Sequence, residues 1–413
     1  MLKSTLILSL KILGRRKFFT FVSLFGICFT LVALMLVTAI IDHSFAARGP
    51  ESDMDRMLLA GRMVMSGSRS TWNGYAGWGF LDRYARGLPG VDDMTVFSVA
   101  DRISTFAGAN KVTLSVRHAD AEYWRLFHFR FLEGAPFTAA DVEEVRRVAI
   151  INEATRRRVF GDAEAMGRTL ELGSERYRVV GIVEDVSVLR LLTTGDVYLP
   201  LSLRLTPESR ARLMGSYMAA FRLDGSLPPG EVQAEFASRL EHVEFEDPER
   251  YDSLRGRLMT RLDVIAEGIL GGDVDENRTP LLGVILAAGA LLFMALPALN
   301  LTNVNMSRIF ERSSEIGVRK AFGASARHLA GQFLLENAVL CVLGGLLSYG
   351  ITLLVLDAVE RSGLIPHASF SVEPAVFLWG LLLTLVFSVM SGLGPAWRMS
   401  RLPPVVALRG GDR

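Results

Sequence analysis

The sequence predicts a membrane protein: four transmembrane α-helices, with a large mixed α/β domain outside the cytoplasm between the first and second. Three observations predict it. Half of the 413 residues are hydrophobic, the mean hydropathy is +0.30, and the apolar residues gather in charge-free blocks rather than spreading evenly. Four of those blocks are long enough to cross a bilayer. Basic residues collect on the flanks that one topology would keep in the cytoplasm.

The elements follow in order. Residues 1–17 carry Leu2, Leu6, Leu10 and Leu13 at helical spacing among Lys3, Lys11, Arg15, Arg16 and Lys17. That pattern suits an amphipathic helix on the inner leaflet. Residues 18–41 contain no Asp, Glu, Lys or Arg, and about 24 residues cross a hydrocarbon core of roughly 30 Å with some tilt. A cleavable leader is the competing reading, since Ser44-Phe45-Ala46 has a small-x-small form. A leader's apolar core runs only about 7–15 residues, so an uncleaved anchor is expected. Further spans are expected at 280–306, 333–356 and 375–394.

Orientation follows from the flanks. Arg308, Arg312, Arg319, Lys320 and Arg327 outnumber Glu311 and Glu315 in the 307–332 segment. Arg398, Arg401, Arg409 and Arg413 face only Asp412 in the 395–413 tail. The 357–374 loop reverses the balance, with Asp357, Glu360 and Glu373 against Arg361. Both termini and 307–332 are therefore expected inside, and 42–279 and 357–374 outside.

Residues 42–279, roughly 240 of them, suffice for one or two compact subdomains. Lys111–Arg117, Arg147–Ile151 and Val197–Pro200 read as strands, and Asn152 as the N-cap of a helix through Val159. Thr169–Leu172 and Tyr177–Val183 read as a hairpin turning at Gly173-Ser174. Segments 206–215 and 230–242 read as helices. Gly225, Pro228, Pro229 and Gly230 suggest a junction between subdomains.

Composition excludes several function classes. No basic run interleaved with aromatics points to nucleic acid, and a net charge of +1 says nothing of partners. Cys28 and Cys341 both lie in apolar blocks, so no disulfide framework is expected outside. Neither His-Glu-x-x-His, Gly-x-Ser-x-Gly nor a Walker A motif occurs. His43, His118, His128, His242, His328 and His367 lack metal-ligand spacing and read as ordinary core or surface residues. No catalytic residue, cofactor or metal is expected. Trp72, Tyr75, Trp78 and Phe80, spaced by glycines, read either as a partner contact or as a loop packed on its own domain.

The spans carry almost no charge, unlike the paths of channels and proton pumps. Glu336 is the exception, read as interfacial. Pro297 should kink the second span, and Asn300, Asn303 and Asn305 offer hydrogen bonds to another helix. Gly283 with Ala287, and Gly344 with Ser348, are small-xxx-small pairs that suit close helix packing.

The cytoplasmic segment is the most specific feature. Glu311-Arg312, Glu315-Ile316-Gly317-Val318-Arg319-Lys320-Ala321-Phe322-Gly323-Ala324 leads through Ser325, a candidate N-cap, to Leu335-Glu336 and Gly344-Gly345. This resembles the FtsX-like permease domain of ABC transporters of the MacB type. The C-terminal Gly394-Pro395-Ala396, Ser400-Arg401, Pro404 and Ala407-Leu408-Arg409 fit the same pattern. Farther out, Phe131–Phe137, Val148–Glu153, Phe160-Gly161-Asp162, Met166-Gly167 and Tyr177–Asp185 resemble the MacB-type periplasmic domain. The likeness is weakest over 50–100 and 205–275.

The resemblance implies a multi-pass permease of the bacterial inner membrane, with 42–279 periplasmic. It implies a coupling helix whose Glu311, Arg312, Glu315, Arg319 and Lys320 contact an ATPase, with Gly317 and Gly323 permitting close approach or a tight turn. MacB-type chains carry an ATPase ahead of the first span, and only about 17 residues precede it here, so a separate cytoplasmic ABC ATPase is the expected partner. A second copy or paralogue is also implied, as is, in some systems, a periplasmic adaptor or an outer-membrane protein. Export or extraction is the leading reading. Two alternatives come with the family: a transducer acting on a periplasmic hydrolase or sensor kinase, and a lipoprotein-releasing permease.

Overall fold

The computed structural model describes residues 17–45, 48–107, 110–292, 295, 318, 322, 325–370 and 372–401. The chain divides into two units. One is helical and comprises Met1–His43, Gly283–Leu364 and Ser369–Arg413; the other comprises Ser44–Leu282 with Ile365–Ala368.

The helical unit contains α1 (Lys17–Phe45), α10 (Ala326–Ser362) and α11 (Pro374–Arg401). Ile27, Leu31 and Met35 recur along one stripe of α1 and bury against Leu340 and Cys341 of α10. The opposite stripe, Phe18, Phe21, Phe25 and Phe29, is exposed, and Phe25 stacks on both Phe21 and Phe29 with ring centroids 6.1 Å apart. An apolar stripe this size suits lipid rather than water. Two described helices are long and apolar enough to cross a membrane, Thr20–Ser44 and Leu334–Ser362. Thr279–Leu292 (α9) and Pro374–Met390 are shorter apolar helices at the expected starts of the second and fourth spans.

The globular unit is mixed α/β. Its strands are β1 (Met57–Ser66), β2 (Thr71–Ala76), β3 (Val91–Ser98), β4 (Asp101–Ala107), β5 (Asn110–Ala119), β6 (Phe131–Gly134), β7 (Val148–Asn152), β8 (Thr169–Leu172), β9 (Glu175–Val183), β10 (Val197–Pro200), β11 (Met214–Gly215), β12 (Tyr217–Leu223) and β13 (Ser253–Met259). They form one sheet in the order β11-β2-β1-β12-β3-β5-β10-β7-β9-β6, with β13 on β1, β4 on β5 and β8 on β9. β5–β10 and β7–β9 pair in parallel, and the other pairs are antiparallel.

Side-chain alternation splits the core across the sheet. Leu58 and Ala60 of β1, Ala219 and Phe221 of β12, and Met94 and Val96 of β3 point into one core. That core is covered by α2 (Trp78–Phe80, continued by a π turn to Ala85) and α7 (Pro229–Glu241). Met57, Leu59, Phe97 and Ala220 point the other way, into an aromatic core around Tyr123, Phe127 and Tyr198. In β7, Val148 and Ile150 enter this aromatic core while Ala149 and Ile151 enter a third. Both faces of that strand are covered, which is why Val-Ala-Ile-Ile runs apolar without alternation.

Local signals act as expected at several places. Asn152 accepts a hydrogen bond from Thr155 N and caps α5 (Glu153–Thr155). β8 and β9 form the expected hairpin, with Gly173 at φ +61° in the turn. Thr138 and Thr260 form capping boxes that start α4 (Ala139–Glu143) and α8 (Arg261–Leu270).

Two expectations are corrected. The helix read over 206–215 stops early: α6 covers Pro207–Ala211, and Met214–Gly215 is strand β11. The end of β2 captures the chain there, Gly77 N donating to Leu213 O at 2.7 Å. A Cβ on Gly77 would lie 2.1 Å from Arg212 O, so that approach requires glycine. The Gly225–Gly230 segment is not a junction, because β12 before it and α7 after it pack into the same core.

Candidate functional site

α10 makes the closest helix contacts. Glycine inside a helix costs roughly 1 kcal/mol relative to alanine, and the Gly344-Gly345 pair uses that cost for approach on two sides. A Cβ on Gly344 would lie 2.8 Å from Ile27 Cγ2 of α1, and one on Gly345 would lie 2.5 Å from Leu381 Cδ1 of α11. Ser348, one turn on, is fully buried and donates to Gly345 O at 2.7 Å. Thr352, a turn further, donates to Ser348 O at 2.8 Å. Glu336, read as interfacial, is buried within this unit at 2% exposure.

The other packing pair behaves differently. Gly283 and Ala287 are exposed on α9, and nothing lies within 4 Å of a Cβ at Gly283. Pro297 and Asn300 lie outside the described residues, as do Glu311, Arg312, Glu315, Gly317, Arg319, Lys320 and Gly323. α10 begins at Ala326, directly after Ser325.

The globular unit holds a buried polar knot around residues 190–194. Arg117, only 2% exposed, points from β5 and donates to Leu191 O at 2.8 Å, Ser98 O at 2.9 Å and Thr194 O at 3.2 Å. Its guanidinium also lies over the Phe97 ring, 5.3 Å from the centroid. Tyr123 Oη donates to Leu192 O at 2.9 Å, and Tyr198 Oη to Thr193 O at 2.6 Å. Glu51 is buried in the same knot, accepting from Thr193 Oγ1 at 2.7 Å with Arg190 at 3.5 Å. Burial raises its pKa, against the Thr193 hydroxyl and the Arg190 and Arg117 charges. The knot ties an irregular segment to the sheet with every donor aimed at a carbonyl or carboxylate.

Beside it, Asp120 accepts from Thr95 Oγ1 at 2.5 Å, Val96 N at 2.7 Å and Tyr123 N at 3.0 Å. Burial nevertheless pushes its pKa up to about 7. Burial lowers His118 to about 4, with Arg204 adding to the effect. His128 pairs with Asp53 at 2.9 Å and His242 with Ser238 O at 2.8 Å. Among the described residues no group of three His, Cys, Asp or Glu could hold a metal ion.

The aromatic cluster divides. Phe80 is fully buried and Trp78 packs against the same core. Trp72, on β2, lines a groove of about 310 Å³ with Met65, Phe245 and Tyr251.

Residues 20–243 match the family described as the MacB-like periplasmic core domain, and residues 287–404 match the FtsX-like permease C-terminal domain. The chain belongs to the MacB-like, FtsX-type family of ABC transporter permeases. It is 26% identical over 333 residues to the uncharacterized ABC transporter permease YvrN of Bacillus subtilis, covering 78% of this chain and 76% of YvrN. It is 24% identical over 324 residues to the macrolide export ATP-binding/permease protein MacB of Vibrio parahaemolyticus, covering 78% of this chain and 46% of MacB. It is 24% identical over 413 residues to the pyoverdine export ATP-binding/permease protein PvdT of Pseudomonas fluorescens, covering 96% of this chain and 58% of PvdT. The chain thus spans about half the length of these two ATP-binding relatives.

Within this permease, the polar knot could not be read from the sequence. Glu51 and Thr193 are separated by 142 positions, and Arg117 and Leu191 by 74.

Proposed function

We propose that this chain is the membrane-spanning subunit of an ABC transporter that exports or extracts a substrate, powered by an ATPase on a separate polypeptide. The observation that carries the reading is the succession of matches: a MacB-like core over 20–243, then an FtsX-like permease region over 287–404. The division of labour is supported by the relatives. The match runs along most of YvrN, named a permease alone, and along about half of MacB, named an ATP-binding/permease protein.

In this reading the chain crosses the inner membrane four times, at 18–41, 280–306, 333–356 and 375–394. Both termini and the 307–332 segment face the cytoplasm, and 42–279 forms the periplasmic domain. Glu311, Arg312, Glu315, Arg319 and Lys320 dock on the ATPase, with Gly317 and Gly323 allowing close approach. α10, locked to α1 and α11 through Gly344 and Gly345, carries the motion outward. The open Gly283/Ala287 face of α9 suits a second copy or a paralogue. The likeness to the macrolide export protein MacB and the pyoverdine export protein PvdT favours export over lipoprotein release.

The test is co-purification in mild detergent. The tagged chain should bring down an ABC ATPase, and Glu315→Ala with Arg319→Ala should lose it while still inserting in the membrane. Retention of the ATPase by that double variant would sink the coupling assignment.

A further inference from the structure

A second cavity in the globular unit, about 450 Å³, has a lining unlike that of the Trp72 groove. Arg102 and Arg158 both face it. Arg102 stands opposite Ser115 across the β4–β5 ladder, so their side chains share one face, and Thr113, opposite Ser104, shares it too. Arg158 comes from the π turn that follows α5.

The two arginines differ from their neighbours in one respect. Arg156 is held by Glu153 at 2.7 Å and 2.8 Å, and Arg157 by Glu153 and Asp185. Arg204 is held by Asp101. Neither Arg102 nor Arg158 has an ion pair or donates a hydrogen bond among the described residues. The one carboxylate in the lining is already engaged: Asp196 accepts from Ser115 N at 2.9 Å and Asn152 Nδ2 at 3.3 Å. Asp185, close by, accepts from Ala154 N at 2.8 Å and pairs with Arg157 and His367. The cavity therefore offers two solvent-exposed guanidiniums without a protein partner among the described residues, and the hydroxyls of Ser115 and Thr194. Val186 and Val188 supply an apolar wall.

We propose that this cavity binds an anionic amphiphile, its phosphate group held between Arg102 and Arg158 and its apolar portion against Val186 and Val188. Guanidinium forks match the oxygen geometry of phosphate in two-point hydrogen bonds. A half-apolar wall beside them selects a ligand with a hydrocarbon part over a bare ion. The phosphate could come from a soluble organic phosphate or from a lipid headgroup.

The test uses the full chain in dodecyl maltoside, with inorganic phosphate and hexyl phosphate as probes in calorimetry. Hexyl phosphate should bind about tenfold more tightly than inorganic phosphate, and Arg102→Gln with Arg158→Gln should weaken it by about tenfold or more. Val188→Ala should reduce only the advantage of hexyl phosphate over inorganic phosphate. Arg69→Gln should change nothing. Unaltered thermal unfolding of the double variant shows that lost binding is not lost folding, and Arg102→Lys with Arg158→Lys provides a second, charge-conserving variant expected to fall between. Native mass spectrometry from phosphatidylglycerol nanodiscs separates the sources. Lipid retained by the wild type and lost from the double variant identifies a headgroup, and no retained lipid with intact hexyl phosphate binding identifies a soluble ligand. Absence of binding to every probe, or equal binding by the double Gln variant, overturns the proposal.

Discussion

Thr352 and Arg117 are both buried polar residues, and they find their partners in opposite ways. Thr352 donates to Ser348 O, four positions back on its own helix. Thr30, Thr38 and Thr384 do the same with Gly26 O, Leu34 O and Gly380 O. Arg117 reaches across 74 and 77 positions to the carbonyls of Leu191 and Thr194. Glu51 reaches across 142 to Thr193. The difference follows from the surroundings. Where no water can complete a hydrogen bond, a hydroxyl on an apolar helix is safest returning to its own backbone. In the globular unit a buried charge needs several partners at once, and only a folded sheet and loop can assemble them.

The comparison can be pressed hardest at Arg117. Arg117→Met would strand the carbonyls of Leu191, Thr194 and Ser98 and leave Glu51 with one fewer compensating charge. The expected loss is about 3–5 kcal/mol of stability in the globular unit, read from denaturant unfolding followed by near-ultraviolet circular dichroism of its aromatic core. A loss below about 1 kcal/mol would mean that the knot is wetter than its burial implies.

Asp120 sharpens the point through pH. Its carboxyl, ordinarily near 3.8, is raised to about 7 by burial. Between those values the folded protein keeps a proton that the unfolded chain has released. The stabilisation is complete below pH 4 and fades as pH rises towards 7. Thermal midpoints of the wild type should therefore fall with pH across this window relative to Asp120→Asn. Parallel profiles would show that the three donors on Asp120 outweigh its burial and keep it ionised.

The smallest effect is expected in the helical unit. Thr352→Val removes a hydroxyl that donates to its own helix at Ser348 O, so the cost should be about 0.5 kcal/mol, measured by unfolding in mixed micelles. A cost of about 2 kcal/mol or more, the size of an unsatisfied buried group, would erase the contrast between the two units.

Legibility follows the same division. The β8–β9 hairpin, the Asn152 cap and the apolar run of β7 were readable because turn residues, caps and patterning act over a few positions. The helix expected over 206–215 failed because Met214 and Gly215 are captured by β2, more than a hundred positions earlier in the chain. The cavity between Arg102 and Arg158 was not readable either. Nothing local distinguishes Arg102 and Arg158 from Arg156, Arg157 and Arg204, which have carboxylate partners.

The sequence by itself determined the apolar segments, the mixed α/β character of the domain that follows the first of them, and the motif that places the chain in its family. Those features rest on hydropathy and spacing, which any stretch of chain carries with it. Only the tertiary structure decided that Arg117 and Glu51 share one buried knot, that burial raises the pKa of Asp120, and that Arg102 and Arg158 face an open cavity. Burial and pairing are properties of neighbours brought together by folding, and they do not exist until the sheet has formed.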